Sequence, residues 1–310
     1  MFRAEAGAFS SRSVSAGERC TPCPWSVRQF SGGGKRQDAG TEPVRPKPGD
    51  MEKISVDNLY NVAETLLIPL YFKAKETQEQ GLLLDDIAVG AVGRIDYDFA
   101  RFDKDRLSQT GVAVRTMLLD QVLEELTTLY PDLLVVNLGA GLDTRPERYP
   151  DLAWVNVDFR EVMDLRRKIF PNTRSINLSQ SILDFSWLDH IPVRRHVLFI
   201  CEGVLMYLYE KEVRELFLKL AAGFSEAYLA FDTIPEFMVG RSHRSVDTRK
   251  APFCWGNGHT RKIERWSPAI TTYKTFYFSD YLKQRWGWMR LAYCLPFIRK
   301  GFKIAVMKLN

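Results

Sequence analysis

The sequence predicts an α/β fold: a doubly wound, mostly parallel sheet, preceded by a helical cap and carrying a lid insertion. Three observations carry this expectation. From Leu133 onward, short apolar runs alternate with amphipathic stretches, the rhythm of parallel strands joined by right-handed crossovers. The runs are apolar at nearly every position, as strands covered on both faces are. The first run stops on a glycine turn, Gly139-Ala140-Gly141, at the end of the strand where such sheets bind ligands. With 310 residues, 45% hydrophobic and 26% charged, the composition fits one large folded domain and excludes global disorder. No run approaches ~18 uninterrupted apolar residues, so no membrane span is expected.

Residues 1–50 read differently. Gly32-Gly33-Gly34 and Pro43, Pro46 and Pro48 sit among polar residues with no apolar period, the composition of a disordered extension. Over residues 1–30 the Ser- and Arg-rich start, with Glu5 and Glu18 as its acids, has the character of an organelle transit peptide. A dispensable extension followed by a second start at Met51 is the preferred expectation. Cys20 and Cys23 have the spacing of half a zinc site, but no second pair follows, so no metal is expected. Five cysteines in this length make no disulfide framework; reduced thiols and a cytoplasmic protein are expected.

The rest divides into a helical cap over 51–130, a cofactor half over 131–234, a substrate lid over 235–270 and C-terminal strands over 271–310. In the cap, structure is expected from about Asp57. Asn61 to Lys75 reads as an amphipathic helix interrupted by Pro69, and Asp85 to Val92 as a short helix stopped at Gly93. Ser108 to Leu129 is a third helix, with Val112, Leu118, Leu119, Val122, Leu126 and Leu129 at helical spacing and Pro131 beyond its end. Strands follow at 133–138, 153–158, 175–178, 196–201 and 227–232. Helices lie between them at 161–170, stopped by Pro171, and at 211–222, ending at Gly223. Further strands are read at 273–278 and 302–309.

Charge is uneven. The net of +5 conceals a segment of net −10 over 51–239 and one of net +12 over 240–310. The basic segment is rich in aromatics, among them Phe253, Trp255, Trp266, Trp286 and Trp288. Such a surface admits a nucleic acid, a pocket for an anionic ring-bearing molecule, or a solvated face over core aromatics. No RNA-binding signature is present, and the aromatics fall at strand and helix spacings, so no nucleic-acid partner is expected.

Three segments meet at the carboxyl ends of the predicted strands: Gly139-Ala140-Gly141 with Asp143, then Asp158 closing the second strand, and Glu202 just past the fourth. Asp158 stands 19 residues after Gly139, where a carboxylate accepts from ribose hydroxyls. The third glycine of a dinucleotide fingerprint is replaced by Thr144, and a pyrophosphate gains nothing from Asp143 and Glu202. S-adenosylmethionine, a sulfonium cation without phosphate, suits the acidic crevice better. On the 108–129 helix, Arg115 shares the apolar face of Leu118, Leu119 and Val122. Its guanidinium therefore needs a partner; the cofactor's carboxylate, a structural ion pair and an exposed head are the alternatives.

Taken together, the motifs at 136–145, 157–167, 182–187 and 202–208 resemble those of the leucine carboxyl methyltransferase family, most closely its bacterial branch acting in polyketide synthesis. Asn61 to Leu70 and Arg94-Ile95-Asp96-Tyr97-Asp98 also look like that branch. The resemblance implies the class I methyltransferase (Rossmann-like) fold, a seven-stranded sheet with one antiparallel strand near the end, and S-adenosyl-L-methionine as methyl donor. Carried over by motif, Arg115 would hold the donor's carboxylate and Gly139, with Ala140, Gly141 and Asp143 beside it, would lie under the methionine part. Asp158 and the adjoining Phe159 would serve the ribose side, Ser181, Ile182 and Asp184 the adenine, and Glu202 the methionine moiety. Substrate positions do not carry over.

Methyl transfer to oxygen is an in-line displacement that needs alignment more than a metal or a covalent intermediate. A carboxylate acceptor needs no base, and a phenol benefits from one. Tyr207, Arg241, His243 and Trp255 are the candidate substrate contacts, and no general base is assigned. The lid carries Arg241, Arg244, Arg249, Arg261 and Arg265 among aromatics, which fits a small anionic aromatic acceptor. The competing readings are an NAD-dependent oxidoreductase on the same sheet, a nucleic-acid methyltransferase or binder using the basic segment, and a non-catalytic scaffold.

Overall fold

The computed structural model describes residues 53–56, 63–79, 81–241 and 252–310. The extension over 1–50, a transit peptide within it, Cys20 and Cys23, and a second start at Met51 all lie outside the described residues.

Among the described residues seven strands form the central sheet: β1 (Leu134–Leu138), β2 (Ala153–Asp158), β3 (Ile176–Ser179), β4 (Val197–Cys201), β5 (Ala227–Thr233), β6 (Ile270–Tyr277) and β7 (Lys303–Leu309). Their spatial order is β3-β2-β1-β4-β5-β7-β6. The first five pair in parallel, and β7 runs antiparallel to both β5 and β6. One antiparallel strand therefore sits near the end of the chain, as the class I methyltransferase fold requires.

Strand residues alternate between two cores. Leu134, Val136 and Leu138 face a cluster with α6 (Glu210–Gly223), whose Val213, Leu216, Phe217 and Leu220 are fully buried. Val135, Leu198, Ile200 and Tyr228 face the opposite cluster, against Val114, Leu118, Leu119, Val122 and Leu126 of α3 (Arg106–Leu129). Full burial of each such aliphatic side chain contributes roughly 1.5–3 kcal/mol, which explains why both faces of these strands are apolar.

α3, read as part of the cap, packs on both sides: its apolar stripe covers the strands, while near its start Val112 joins the cap core and Gln109 donates to Glu76 and Glu79. The cap proper is α1 (Ala63–Gln78) and α2 (Asp86–Arg94), with Leu67, Leu70, Phe72, Ala88 and Ala91 packed against Phe99 and Phe102. Asp85 caps α2 by accepting from Ala88 N–H at 2.9 Å, and Asp105 caps α3 by accepting from Ser108 N–H at 3.1 Å. The expected break at Pro69 does not occur. The ring removes one backbone donor, yet Leu67, Leu70 and Phe72 are anchored in the cap core on both sides of it, and α1 continues. Structure also begins earlier than expected, with Ile54–Ser55 paired in parallel with Ile95–Asp96.

Short helices complete the frame: α4 (Arg145–Arg148), α5 (Arg160–Ile169), α7 (Arg261–Glu264), α8 (Met289–Ala292) and α9 (Pro296–Gly301). The C-terminal region is therefore more than strands. Between β6 and β7, residues 278–302 form turns and the helices α8 and α9, and these wall the cavity described next.

Candidate active site

The crossovers reverse direction between β1 and β4, and the loops leaving β1, β2, β4 and β5 open onto one cavity of about 1200 Å³. Small-molecule sites usually measure ~300–1,000 Å³, so this volume accommodates two ligands. One half is the crevice at the strand ends. The other is a lobe between the start of α3, the segment after β5 and residues 278–302.

Glycines allow the loops to converge. Gly139 has φ +68° and Gly141 φ +49°, both in the left-handed region. A Cβ on Gly139 would stand 2.4 Å from Val204 Cγ2, so the β1 and β4 loops meet only because none is there. Asp158 closes β2, and its carboxylate accepts from Gly141 N–H and Phe159 N–H, each at 2.7 Å. Burial pushes this carboxyl above its ordinary range, and the two N–H groups offset that only in part. The neighbouring Phe159 ring is half exposed and lines the cavity, as do Ile182 and Leu183.

Beneath the crevice lies a lattice of buried charge. Lys73 on α1 reaches Asp143 Oδ1 at 3.0 Å and Glu202 Oε1 at 4.0 Å. Arg145, whose side chain is fully buried, donates to Asp120 at 2.5 Å, Asp143 at 3.1 Å and Glu202 at 2.6 Å. Arg115 donates from Nε to Glu202 at 3.0 Å and from Nη1 to Asp232 at 3.1 Å. Burial alone would push Glu202 up, but Lys73, Arg145 and Arg115 together hold its carboxyl down at about 2. Asp143, buried beside Arg145 and Lys73, is likewise held well below the usual range. At Asp232 burial outweighs Arg115, and its carboxyl is raised. Asp143, Asp158, Glu202 and Asp232 all line the cavity, against Lys73 and Arg115, with Arg145 behind them. The acids outnumber the cations by one, a balance that favours a ligand of net positive charge.

The structure brings Arg115, Gly139, Ala140, Gly141, Asp143, Asp158, Phe159, Ser181, Ile182 and Glu202 onto this crevice, and Tyr207 and Arg241 onto the lobe. It does not bring Asp184 there: that carboxylate is exposed and caps the turn Phe185–His190, accepting from Ser186 N–H at 3.2 Å. Trp255 is also elsewhere. Its ring is buried in the α6-side core, 6.3 Å from that of Phe231, because the segment after Pro252 turns inward behind the cavity wall. His243, Arg244 and Arg249 lie outside the described residues. Arg261 and Arg265 do not line the cavity, so the expected basic lid is represented by Arg241 alone among the described residues.

Sequence reasoning missed Lys73, Arg145, Asp232 and Tyr293; Phe278, Trp286 and Trp288 belong to the aromatic segment already read as a possible pocket for a ring-bearing molecule, and they line the lobe. Asp232 was legible as an acid ending a strand run, the same signal that identified Asp158. Lys73 looked like an ordinary polar position on an amphipathic helix.

Residues 93–221 match the leucine carboxyl methyltransferase family. Among curated proteins, the chain is 30% identical over 219 residues to the tetracenomycin polyketide synthesis O-methyltransferase TcmP of Streptomyces glaucescens, covering 68% of this chain and 81% of that one. It is 28% identical over 264 residues to the S-adenosyl-L-methionine-dependent methyltransferase dpfgK of Gibberella zeae, covering 74% and 88%. A solved structure of magnesium protoporphyrin IX methyltransferase from Synechocystis with bound SAH aligns with 76% of this chain and 97% of that one, at 13% identity and a TM-score of 0.44. The glycine turn and Asp158 fall inside the matched segment, the relatives are matched along most of their length, and the sheet order is the one that places ligands at these loops. The chain belongs to the leucine carboxyl methyltransferase family and is an S-adenosyl-L-methionine-dependent methyltransferase.

Proposed function

We propose that the protein methylates a carboxylate oxygen of a small molecule with an apolar, aromatic or polyketide-like body. The observation that carries this reading is the lobe joined to the cofactor crevice. Its walls are apolar and aromatic, including Met206, Phe253, Phe278, Trp286 and Tyr293, and Arg241 is the cation among its described lining residues.

The donor fits the crevice residue by residue. Asp158 suits the ribose hydroxyls, and Phe159, Ile182 and Leu183 suit the adenine ring as apolar lining of the same crevice. Gln180 Oε1, buried beside Ser181 without a hydrogen-bond partner among the described residues, is an acceptor for the adenine amino group. Arg115 and Lys73 suit the donor's carboxylate, and Asp143, Glu202 and Asp232 surround its cationic centres. When bound, S-adenosylmethionine supplies an activated methyl group on a positively charged sulfur.

The lobe's own groups favour an acceptor that is already ionised. Burial pushes the Tyr207 hydroxyl up to about 12, so it does not take a proton at neutral pH. Asp232 is engaged by Arg115 and by Gly203 N–H at 2.6 Å. Asp105 is the cap of α3. A carboxylate needs no base, and Arg241 offers it a charge at the wall. What remains for the protein is alignment and exclusion of water, for which the buried aromatic wall is suited. The polyketide reading is supported by the similarity to the Streptomyces O-methyltransferase of tetracenomycin polyketide synthesis.

The test is incubation with isotopically labelled S-adenosylmethionine and a panel of aromatic carboxylic acids and phenols. Base-labile label in the product is the expected result. Label that survives base, as in a phenol ether, overturns the carboxylate assignment.

A further inference from the structure

The large hydrophobic side chains left exposed over most of the molecule are scattered, which is ordinary for a folded surface. On two segments that flank the acceptor lobe, 237–239 and 288–297, they recur. Leu291 is 77% exposed, Trp288 and Phe297 58%, Leu295 47%, Val239 44% and Phe237 43%. The two segments that carry them are in contact: the Phe237 and Phe297 rings lie 5.7 Å apart in an edge-on arrangement. Trp288 and Phe237 also line the cavity, so this surface is continuous with the lobe. Exposed apolar side chains concentrated on two touching segments mark interaction surfaces more often than scattered ones do.

The charge around it is mainly positive: its acids, Glu236 and Asp280, are paired with Lys262 and Arg299. Residues 283–301 contain Lys283, Arg285, Arg290, Arg299 and Lys300 and no acid. Arg285 is tied to Glu76 and Arg299 to Asp280. Lys283 and Arg290 are exposed and form no ion pair among the described residues. Arg241, on the same rim, lies over the Phe237 ring with its guanidinium 5.6 Å from the centroid.

We propose that α8, α9 and the turn Glu236–Met238 form a docking surface for an anionic lipid bilayer, with the mouth of the acceptor lobe facing the membrane. Protruding Trp, Leu and Phe side chains enter the headgroup boundary, where an amphipathic ring or an aliphatic chain leaves water without needing a shaped partner. Lys283, Arg290 and Arg241 meet the negative headgroups around them. No helix among the described residues is long and apolar enough to cross a membrane, so the attachment is to one face and reversible. An acceptor dissolved in the bilayer then reaches the apolar lobe between Trp288 and Phe237 without crossing water.

Flotation of the full chain with vesicles tests the surface without cofactor or acceptor, so its failure and a failure to form an ester are separate results. Vesicles of phosphatidylcholine alone are compared with vesicles containing about one-third phosphatidylserine. The expected result is ~10-fold or greater enrichment on the anionic vesicles, declining as salt is raised. The pair Leu291→Glu and Phe297→Glu, neither residue lining the cavity, should abolish flotation while the melting-temperature rise with S-adenosylhomocysteine is retained. Lys283→Ala with Arg290→Ala, on a fold left untouched in its apolar contacts, should remove the preference for phosphatidylserine. Absence of flotation with either vesicle overturns the proposal, as does equal flotation of the Leu291→Glu, Phe297→Glu protein. A vesicle-free dimer that becomes monomeric in that double variant also overturns it, by assigning the patch to a second copy of the chain.

Discussion

Arg145 Nη1 lies 2.6 Å from Glu202 Oε2, joining the loop after β1 to the loop after β4 across the point where the sheet reverses. Both side chains are almost wholly removed from solvent. The contact fixes the separation of the two loops that flank the crevice, so a residue behind the crevice wall sets the crevice's width.

Arg145→Met should destabilise the protein by roughly 3–5 kcal/mol, because it leaves Asp120, Asp143 and Glu202 short of a buried cation. Urea denaturation measures this, and a loss below ~1 kcal/mol would show that water or Lys73 replaces the guanidinium. Cofactor affinity should fall in the same variant.

Gly139→Ala should nearly abolish cofactor binding. The left-handed backbone costs a side chain about 1–2 kcal/mol, and the added Cβ collides with Val204. Adding Val204→Ala removes the collision but leaves the backbone cost, so calorimetry should show partial recovery. Full recovery would mean that the backbone conformation is unimportant.

Asp158→Asn should weaken S-adenosylhomocysteine binding by roughly 10–100-fold, the loss of a charged hydrogen-bond acceptor at about 1.5–3 kcal/mol. The ligand-free protein should also lose about 1–3 kcal/mol, because the amide keeps one acceptor and turns its NH2 toward the second backbone N–H. A melting temperature equal to that of the parent without ligand would contradict this.

Acid should reveal the lattice. Glu202 is held down at about 2 against an ordinary 4.5 in the unfolded chain. A depressed carboxyl contributes stability that is present above its unfolded value and lost as pH falls toward its folded one. Stability should therefore decline between about pH 4.5 and 2 more steeply in the parent than in Glu202→Gln. Parallel pH profiles from denaturation would sink the assignment.

Tyr207→Phe should leave kcat within ~3-fold, since a hydroxyl near 12 serves poorly as a base at neutral pH. A loss of ~100-fold or more with KM unchanged would assign the hydroxyl a chemical role.

The sheet was legible because its strands are buried on both faces and therefore read as uninterrupted apolar runs. The crevice was legible where backbone geometry demands a residue type: Gly139 and Gly141 in the left-handed region, and Asp158 at a strand end. Arg115 was found because a cation on an apolar helix face needs a partner, although here it meets Glu202 and Asp232. Partners distant in sequence were not legible. Nothing local to Lys73 says that α1 carries it to Asp143, 70 residues on. Asp184 and Trp255 misled because a capping carboxylate and a core indole have the same local signature as ligand contacts.

The position of β7 has a consequence for how the domain forms. The seventh strand in chain order fills an interior place, with Leu309 opposite both Ala227 and Ile270. β6, synthesised earlier, has no neighbour in the sheet until β7 arrives, so the edge of β5 stays unpaired on the ribosome. The wall of residues 278–302 hangs between these two strands. Emergence of β7 from the ribosome is thus the event that completes both the sheet and the apolar lobe, and a nascent chain stalled before it presents an open, sticky edge.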